Sequence, residues 1–259
     1  MLVCEVMAQQ TQVARVAERW RPFLDRFPTP AALAAVPAAE ATRSWSGLGY
    51  NRRALALHQT ARVVGRDHGG QLPADLDALL ALPGIGPYTA RAVLAFAYEA
   101  DLGIVDTNTA RVLARWEGRR LTAREVQAAA DAAVPAGQAW AWNQAMLDLG
   151  ATVCIRRSPH CQACPVAHSC AWVRRGNAEP DPADGSAGVS VGQSRFVGSD
   201  RQGRGRLVEA LRAGPVATVD LAAAMGWPDD ASRAELVAAT VVADGLATRR
   251  DDGVFFLTP

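Results

Sequence analysis

Four of the five cysteines of this 259-residue chain fall within seventeen residues, and this cluster constrains the fold more than any other feature. Their spacing is Cys-x6-Cys-x2-Cys-x5-Cys, from Cys154 through Cys161 and Cys164 to Cys170. Thiolates this close along a chain are typical of a metal centre. A zinc ion held by four cysteines usually uses two Cys-x2-Cys pairs, and this sequence has one such pair, flanked by long and unequal gaps. We therefore predict a 4Fe–4S cluster held by the four cysteines, with zinc and unrelated buried cysteines as the alternatives.

The surroundings of the cysteines are basic. Arg156 and Arg157 lie between the first two cysteines, and His160 directly precedes the second. No residue pattern here indicates electron transfer, so we expect a structural role in which the cluster holds this loop against a polyanion. The fifth cysteine, Cys4, is far away in the chain and is predicted to be a small buried residue. A disulfide framework is not expected, because a chain of this length can bury a core without covalent cross-links.

The composition indicates a globular protein of the cell interior. Hydrophobic residues make up 49% of the chain, which is enough for two compact units. No apolar run approaches the roughly 20 residues that span a bilayer. The N-terminus also lacks the basic start and long apolar stretch of a signal peptide. We therefore expect neither a membrane protein nor a secreted protein, and we place the chain in the cytoplasm.

The charged residues exclude one class of mechanism. The first 175 residues carry a net charge of +5 and the remaining 84 a net charge of −4, which is compatible with a nucleic acid partner but does not by itself argue for one. All 27 basic residues are arginine. Because a guanidinium stays protonated, a chain without lysine cannot use a lysine amine as a nucleophile or Schiff base.

The first 175 residues predict an all-α region with short Pro/Gly turns. Apolar residues from Val13 to Leu24 recur at helical spacing, and Thr29-Pro30 begins the next helix with proline at its first position. Residues 176–194 are rich in Gly, Pro, Asp and Ser and are interpreted as a linker. Further helices are predicted over residues 40–46, 53–66, 75–82, 87–99, 108–116, 123–133 and 139–153.

Residues 195–259 regain a regular pattern. Helices are predicted near 204–212, 218–225 and 231–244, followed by the apolar stretch VFFL. Asp252-Gly253 precedes that stretch and is typical of a tight hairpin turn. Three helices followed by a short hairpin indicate a small winged-helix-like domain.

Residues 82–90 read LPGIGPYTA and join a helix that ends near residue 82 to another that begins at Pro87. Gly84 and Gly86, on either side of Ile85, allow the backbone to turn so that successive N–H groups point outward. Such a turn at a helix N-terminus binds a phosphate without reading a base. The pattern matches the helix-hairpin-helix element of DNA-binding proteins, with an ordinary tight helix connection as the alternative. No strand precedes it, so a dinucleotide-binding loop is excluded.

Together these features resemble the iron–sulfur branch of the helix-hairpin-helix DNA glycosylase superfamily, and within it the adenine-specific A/G mismatch glycosylases. The resemblance covers about residues 2–173. It implies a mostly α fold: a helical barrel domain with the hairpin over 1–107 and a helical iron–sulfur domain over 108–175, before the linker and the winged-helix-like domain over 195–259. The motifs that carry it are CEVMAQQTQV (4–13), WSGLGYNRRA (45–54), LPGIGPYTA (82–90), IVDTNTARV (104–112), NQAMLDLGATVC (143–154) and the four cysteines.

The resemblance implies roles for individual residues. Glu5 is expected to be the general acid that protonates adenine, and its apolar neighbours should raise its pKa so that it carries a proton near neutrality. Asp106 is expected to stabilise the oxocarbenium-like sugar, electrostatically or by a transient covalent bond. Tyr88 and Asn108 would orient the reacting groups and water. The alternatives are a surface helix glutamate for Glu5 and a helix cap for Asp106, and the cap is compatible with catalysis.

The type of reaction follows from the position of Tyr88. The endonuclease III branch carries a lysine there, which attacks the sugar and goes on to cut the strand. Tyrosine at this position implies a monofunctional glycosylase that leaves an abasic site.

The resemblance also implies residues that contact the DNA. Gln10 and Tyr50 match the family's wedge positions and are expected to fill the gap left by a flipped base. Gly84, Ile85 and Gly86 are expected to contact the DNA as well. A solvated helix residue and a core residue are the alternatives for Gln10 and Tyr50.

The implied substrate is double-stranded DNA with adenine mispaired with guanine or 8-oxoguanine, bound by a monomer acting on the nucleoid in a bacterial cytoplasm. Family members normally carry a further helix and an aromatic and arginine segment before the position of Glu5, so we expect either a misassigned start codon or an N-terminally truncated chain, and a true truncation would leave the adenine pocket incomplete. The usual tail is a larger, Nudix-like domain that senses 8-oxoguanine. Residues 195–259 are too few for it, although Arg201, Arg204 and Arg206 could contact DNA.

Two alternative functions stay open at this point. One is a thymine or uracil mismatch glycosylase of the same superfamily. The other is a non-catalytic iron–sulfur protein that binds DNA without releasing a base. Tyr88 and Glu5 favour adenine over the first, and the presence of both Glu5 and Asp106 speaks against the second.

Overall fold

The computed structural model describes residues 1–189 and 195–259. Within these residues the protein is mostly α-helical, as the sequence predicts, with fourteen α-helices and three short strands. No helix among them combines the length and the apolar character needed to cross a membrane. The first eleven helices are α1 (Leu2–Ala8), α2 (Val13–Arg26), α3 (Pro30–Ala34), α4 (Ala38–Ser44), α5 (Arg52–Asp67), α6 (Leu76–Leu80), α7 (Pro87–Ala97), α8 (Thr107–Glu117), α9 (Ala123–Ala133), α10 (Ala139–Asp148) and α11 (Ala171–Arg174).

Local sequence signals explain where these helices begin. The Thr122 hydroxyl accepts from the Glu125 backbone N–H at 3.4 Å, and the Glu125 carboxylate accepts from the Thr122 N–H at 2.9 Å, so a capping box starts α9. Pro87 occupies the first position of α7, where its missing N–H breaks no helical hydrogen bond. Thr29 caps α3 as predicted, with its hydroxyl 3.1 Å from the Ala32 amide nitrogen.

The predicted helix over 139–153 changes character before its end. After α10 the chain forms a π-helical turn over Leu149–Val153. The Cys154 N–H donates to the Leu149 carbonyl, five residues earlier, at 2.7 Å. A π turn holds one residue more than an α turn, and apolar periodicity does not distinguish the two over so short a stretch. The widened turn leads directly into the first cysteine of the cluster.

The contacts of the described residues divide the chain into two compact units. The first, here called the cysteine unit, comprises residues 74–80 and 86–189 together with Met1. The second, here called the terminal unit, comprises residues 2–73, 81–85 and 195–259. The domain boundaries expected from the sequence stay a prediction.

The last part of the chain has the element order of a winged helix, as predicted. The elements are α12 (Asp200–Ala213), β1 (Val216–Ala217), α13 (Leu221–Met225), α14 (Ala231–Ala243), β2 (Ala247–Arg249) and β3 (Val254–Leu257). The antiparallel sheet has the strand order β1-β3-β2, and the register pairs Val216 with Phe255 and Thr248 with Phe256. Gly253, with φ +80°, turns the β2–β3 hairpin where the Asp-Gly pair predicts it.

Part of the stretch interpreted as a linker packs within the cysteine unit. Ala183 and Ser186 are buried, and the Ala187 N–H donates to the Leu121 carbonyl at 2.9 Å. The Ser186 hydroxyl accepts from the Leu121 N–H at 3.0 Å. The composition offers few apolar side chains that this segment could bury. Small residues and backbone hydrogen bonds nevertheless hold the segment in place. Residues 190–194 of the expected linker lie outside the described residues.

Candidate functional site

The four clustered cysteines line one cavity in the cysteine unit. All five cysteines of the chain are free thiols. Within residues 1–189 and 195–259, no group of three His, Cys, Asp or Glu side chains is arranged to hold a metal ion. The cavity that the four thiols line is the candidate site for the predicted metal centre. The other lining residues are mostly apolar: Val112, Arg115, Trp116, Leu149, Val153, Pro159, Val166, Trp172 and Val173.

Arg115 organises the first cysteine and the residues after it. Its side chain is 2% exposed, and its guanidinium donates to the Cys154 sulfur at 3.3 Å, to the Ile155 carbonyl at 2.9 Å and to the Arg156 carbonyl at 3.1 Å. It also forms an ion pair with Asp181 at 2.6 Å. Burial acts to lower the pKa of Arg115, but its hydrogen bonds to Asp181 and Cys154 raise it overall. The loop that carries Cys154 thus folds around a fixed positive charge.

Two further sulfurs have hydrogen-bond partners. The Asn177 side-chain amide donates to the Cys161 sulfur at 3.8 Å, and the Cys170 thiol donates to the Arg115 carbonyl at 3.3 Å. N–H groups aimed at sulfur are typical of iron–sulfur sites, where they stabilise the negative charge of the thiolates. Asn177 lies in the stretch interpreted as a linker, and nothing in its sequence context signals this contact.

Asp106 caps α8, as the alternative interpretation expected. Its Oδ1 accepts from the backbone N–H groups of Asn108 at 2.9 Å and Thr109 at 2.7 Å. Its Oδ2 accepts from the Asn108 side-chain amide at 3.0 Å. Both oxygens of this half-buried carboxylate therefore have fixed partners, which holds it in one orientation at the positive end of a helix. The structure thus brings together Asp106 and Asn108, two of the four residues predicted to be catalytic.

A buried arginine continues this network toward the cysteines. The Arg111 guanidinium donates to Asn108 Oδ1 at 2.9 Å, to the Gly150 carbonyl at 2.6 Å and to the Cys154 carbonyl at 2.7 Å. Gly150 lies in the π turn, and a Cβ there would stand 2.6 Å from the Asn108 Cβ, so only glycine allows this approach. Burial lowers the pKa of Arg111. A chain of direct hydrogen bonds therefore joins the Asp106 carboxylate to the backbone of the first cysteine.

Glu5 lies in the middle of α1, in the terminal unit. It is half-buried, and the next two residues, Val6 and Met7, are buried. Burial and the adjacent Glu5 carboxylate raise the pKa of the Cys4 thiol. Cys4 is half-buried rather than fully buried. The general-acid role of Glu5 stays a prediction.

The LPGIGPYTA turn has the backbone conformation that its glycines predict. Gly84 has φ +73°, and a Cβ there would stand 2.6 Å from the Ala56 Cβ, so glycine is needed for both reasons. The Thr60 hydroxyl donates to the Pro83 carbonyl at 2.7 Å and ties the turn to α5. Ile85 is buried, and its N–H donates to the Leu82 carbonyl at 3.2 Å.

The residues that follow this turn belong to the cysteine unit. Gly86 is the extended N-cap of α7, and its carbonyl accepts from the Ala90 N–H at 2.9 Å. Tyr88, in the first turn of α7, is half-buried and packs against an apolar cluster that includes Ala92 and Phe96. DNA contacts by the three hairpin residues, and the orienting role of Tyr88, stay predictions.

Gln10 and Tyr50 share an unusual backbone geometry. Both are exposed and both have positive φ, +54° and +46°, in a region that residues with a Cβ rarely adopt. Exposure agrees with a wedge for Tyr50 and rules out the alternative that it is a core residue. Held strain of this kind is typical of functional loops.

One arginine that the sequence analysis did not single out joins these two loops. Six backbone carbonyls and one hydroxyl accept from the Arg53 guanidinium, and its carbon lies 5.5 Å from the centroids of the Trp45 and Tyr50 rings. Burial lowers the pKa of Arg53 to about 10. The accepting atoms are the carbonyls of Val6 (2.8 Å), Met7 (2.9 Å), Gln9 (2.5 Å), Leu48 (3.1 Å), Gly49 (3.0 Å) and Tyr50 (3.3 Å) and the hydroxyl of Thr11 (2.9 Å).

Known proteins resemble the chain over nearly its full length. An adenine DNA glycosylase of Mycobacterium tuberculosis is 42% identical over 99% of this chain and 84% of its own length. One from Mycolicibacterium smegmatis is 40% identical over 99% of this chain and 86% of its own. The adenine DNA glycosylase of Homo sapiens is 37% identical over 71% of this chain and 35% of its own.

Solved structures and a family match agree with these relatives. A thermostable thymine-DNA glycosylase superposes with a TM-score of 0.64 and 29% identity over 67% of this chain and 83% of its own. An endonuclease III from a non-covalent DNA complex superposes with a TM-score of 0.60 and 26% identity over 68% of this chain and 85% of its own. Residues 3–136 match the family described as HhH-GPD superfamily base excision DNA repair protein. The chain therefore belongs to the HhH-GPD superfamily of base excision DNA repair proteins.

Proposed function

We propose that the protein is a monofunctional adenine DNA glycosylase, which removes adenine mispaired with guanine or 8-oxoguanine and leaves an abasic site. The observation that carries this proposal is the 42% identity, over 99% of the chain, to an adenine DNA glycosylase. Two features of the sequence support the monofunctional reaction. Tyr88 stands where a bifunctional enzyme needs an amine, and no lysine is present elsewhere in the chain to replace it.

Base removal breaks the bond between a sugar carbon and a ring nitrogen of adenine. Protonation turns the base into a better leaving group, and Glu5 is the proposed acid that delivers this proton. A negative charge beside the sugar lowers the energy of the cationic transition state, and Asp106 is the proposed source of that charge. The helix cap supports this role because it fixes the orientation of Asp106 before substrate arrives. Asn108, which donates to Asp106 at 3.0 Å, positions the same carboxylate.

The adenine must leave the helix before it can react. Flipping a nucleotide costs a few kcal/mol, and least at a mismatch, so the protein must stabilise the opened duplex. The exposed Tyr50 ring is suited to insert beside the opposing base, and Gln10 can offer amide hydrogen bonds there. The partner is thus duplex DNA with a mispaired adenine, bound by one copy of the chain in the cytoplasm, on the nucleoid of a bacterium.

The cofactor we propose is a 4Fe–4S cluster bound by Cys154, Cys161, Cys164 and Cys170. The cavity that these residues line supports it, as do the N–H donors that Arg115 and Asn177 aim at two of the sulfurs. When bound, the cluster supplies a rigid inorganic cross-link between four points of the chain. Arg156 and Arg157, which are exposed beside it, would then be held ready for DNA phosphates.

The catalytic assignment can be tested with two isosteric substitutions. Adenine release is measured under single-turnover conditions on an A:8-oxoguanine duplex for wild type, Glu5→Gln and Asp106→Asn. Each substitution removes an acid or a charge while keeping the shape, so we expect each to slow release by about 100-fold or more. Glu18→Gln, at an exposed glutamate of α2, is the matched control and should behave as wild type.

The outcomes separate the alternatives. If both active-site variants stay within a few-fold of wild type, the catalytic assignment is wrong. Release of base from T:G or U:G duplexes, with none from A:G or A:8-oxoguanine, would instead support the thymine or uracil mismatch glycosylase. Tight binding of the mismatched duplex without release of any base would support the non-catalytic protein.

A further inference from the structure

We propose that Arg201, in the winged-helix part, is a positioning residue for the Tyr50 ring. Through it, residues 195–259 would control how firmly the protein holds an opened base pair. The inference rests on the proposed function, because it takes Tyr50 as the wedge that enters the duplex.

The inference starts from a contact between residues that are 151 positions apart in the chain. The Arg201 guanidinium donates to the Tyr50 hydroxyl at 3.3 Å. Tyr50 is 41% exposed, so little protein surrounds the ring that must keep one orientation. Arg53 lies against the ring face and Arg201 contacts its tip. The ring is therefore held at two points, and one of them comes from the last domain of the chain.

The helix that carries Arg201 is anchored beside Tyr50. Arg212, on the same helix α12, donates to the Thr42 carbonyl at 3.0 Å and to the Asn51 side-chain oxygen at 2.8 Å. The Arg212 side chain is 9% exposed, and its burial lowers its pKa. Asn51 is buried and directly follows Tyr50 in the sequence. A buried hydrogen bond thus links α12 to the residue next to the wedge.

Other contacts strengthen this attachment. Ala39, in α4, belongs to the same buried cluster as Leu207 of α12. The Ser46 hydroxyl donates to the Glu209 carboxylate at 3.2 Å. Leu55 of α5 packs against the same cluster. Backbone, core and side-chain contacts together therefore attach α12 to the elements on both sides of the Tyr50 loop.

The groups around Arg201 have the chemistry that binds nucleic acid. Its guanidinium lies 5.7 Å from the centroid of the Phe196 ring, and that ring is 55% exposed. A cation between two exposed aromatic rings is suited to stack against bases and to approach phosphates. Arg204, in contrast, is half-buried and paired with Asp244. Of the three arginines expected to contact DNA here, Arg201 is the one that donates to Tyr50 among the contacts of the described residues.

A double-mutant cycle tests the inference. We would measure the affinity of wild type, Arg201→Ala, Tyr50→Phe and the double variant for a duplex that carries an uncleavable adenosine analogue opposite 8-oxoguanine. Loss of one hydrogen bond predicts that Arg201→Ala weakens binding roughly two- to tenfold, and the dissociation constant should change more than the single-turnover rate. In the Tyr50→Phe background the same substitution should cost little more, because the hydroxyl that it acts through is already gone.

A control variant distinguishes positioning from a general loss of positive charge. Arg62→Ala removes one exposed arginine from α5 of the same unit and should leave the affinity unchanged. If Arg201→Ala costs the same affinity in the wild-type and Tyr50→Phe backgrounds, the inference is overturned in favour of a phosphate contact. An Arg201→Ala variant that binds the duplex as tightly as wild type would also overturn the inference. If the wild-type protein releases no adenine at all, that result contradicts the proposed function instead.

Discussion

Two regions of the molecule are each organised by one arginine, and the two arginines are held in different ways. Arg115 in the cysteine unit has a carboxylate partner, Asp181, at 2.6 Å. Arg53 in the terminal unit donates only to neutral oxygens among the contacts of the described residues. The first arrangement raises the pKa of its arginine, and the second lowers it to about 10.

The difference reflects which groups each arginine stabilises. Four cysteine thiolates around a cluster carry negative charge, so a fixed cation with its own counter-ion stabilises them without creating an unpaired charge. The loops at Gln10 and Tyr50 instead present a group of backbone carbonyls that converge on one side chain. A planar guanidinium with five donors can satisfy several carbonyls at once, which lysine with its compact ammonium does less well. We expect the two sites to respond differently when the arginine is removed.

The largest effect is expected for Arg115→Met. This substitution leaves Asp181 as an unpaired, mostly buried charge and removes the donor to the Cys154 sulfur, so the free energy of unfolding should fall by about 3–5 kcal/mol. The cluster should be lost or bound substoichiometrically. Iron content, visible absorption and urea unfolding measure these effects, with Arg124→Met on exposed α9 surface as the control. Full iron content in Arg115→Met would contradict the role of Arg115, and a colourless wild type that binds zinc would contradict the cluster itself.

A smaller and different effect is expected for Arg53→Met. The carbonyls that it leaves are only partly buried and can recruit water, so we expect a loss of about 2–3 kcal/mol. The loops at Gln10 and Tyr50 should lose their fixed conformation, so affinity for the mismatched duplex should fall while iron content stays at the wild-type level. Titration of duplex DNA and iron analysis of the same preparation test this. If Arg53→Met loses its iron as Arg115→Met does, the two arginines do not serve separate regions.

The smallest effect concerns Asp181→Asn and its dependence on pH. Burial acts to raise the pKa of Asp181, but hydrogen bonds from Arg115 and the Ala183 N–H outweigh it, and the pKa lies below its ordinary value. The ion pair therefore contributes fully above the unfolded pKa of about 3.9, and its contribution is lost as the pH falls through the lower folded pKa. We expect Asp181→Asn to be less stable by about 1–2 kcal/mol at neutral pH, because Arg115 loses a charged acceptor but keeps its carbonyl acceptors. The difference from wild type should shrink below about pH 4. Urea unfolding across this range measures it, and a difference that grows on acidification would contradict the assignment.

The sequence allowed the elements to be predicted better than the contacts between them. Helical periodicity and local caps such as Thr122 are encoded within a few residues, and the four cysteines form a local motif, so both were predictable. Arg53 and Arg115 are different, because several of their partners lie about 40 residues away and are mostly backbone carbonyls, which are the same at every position. The polar composition of the segment around Asp181 predicts a linker, yet one of those polar residues neutralises a buried guanidinium.

The π turn over Leu149–Val153 gives the chain one residue more before Cys154 than an α-helix would hold. Deleting one of its residues would let the backbone relax into an ordinary α-helix, and because each α-helical residue turns further around the axis than a π-helical one, Cys154 would keep nearly the same direction. Inserting a residue into the regular helix α10 would instead rotate Cys154 by roughly 100°. A designer who recombines relatives of this enzyme can therefore shorten the π turn by one residue more safely than lengthen α10, provided that a glycine stays beside Asn108.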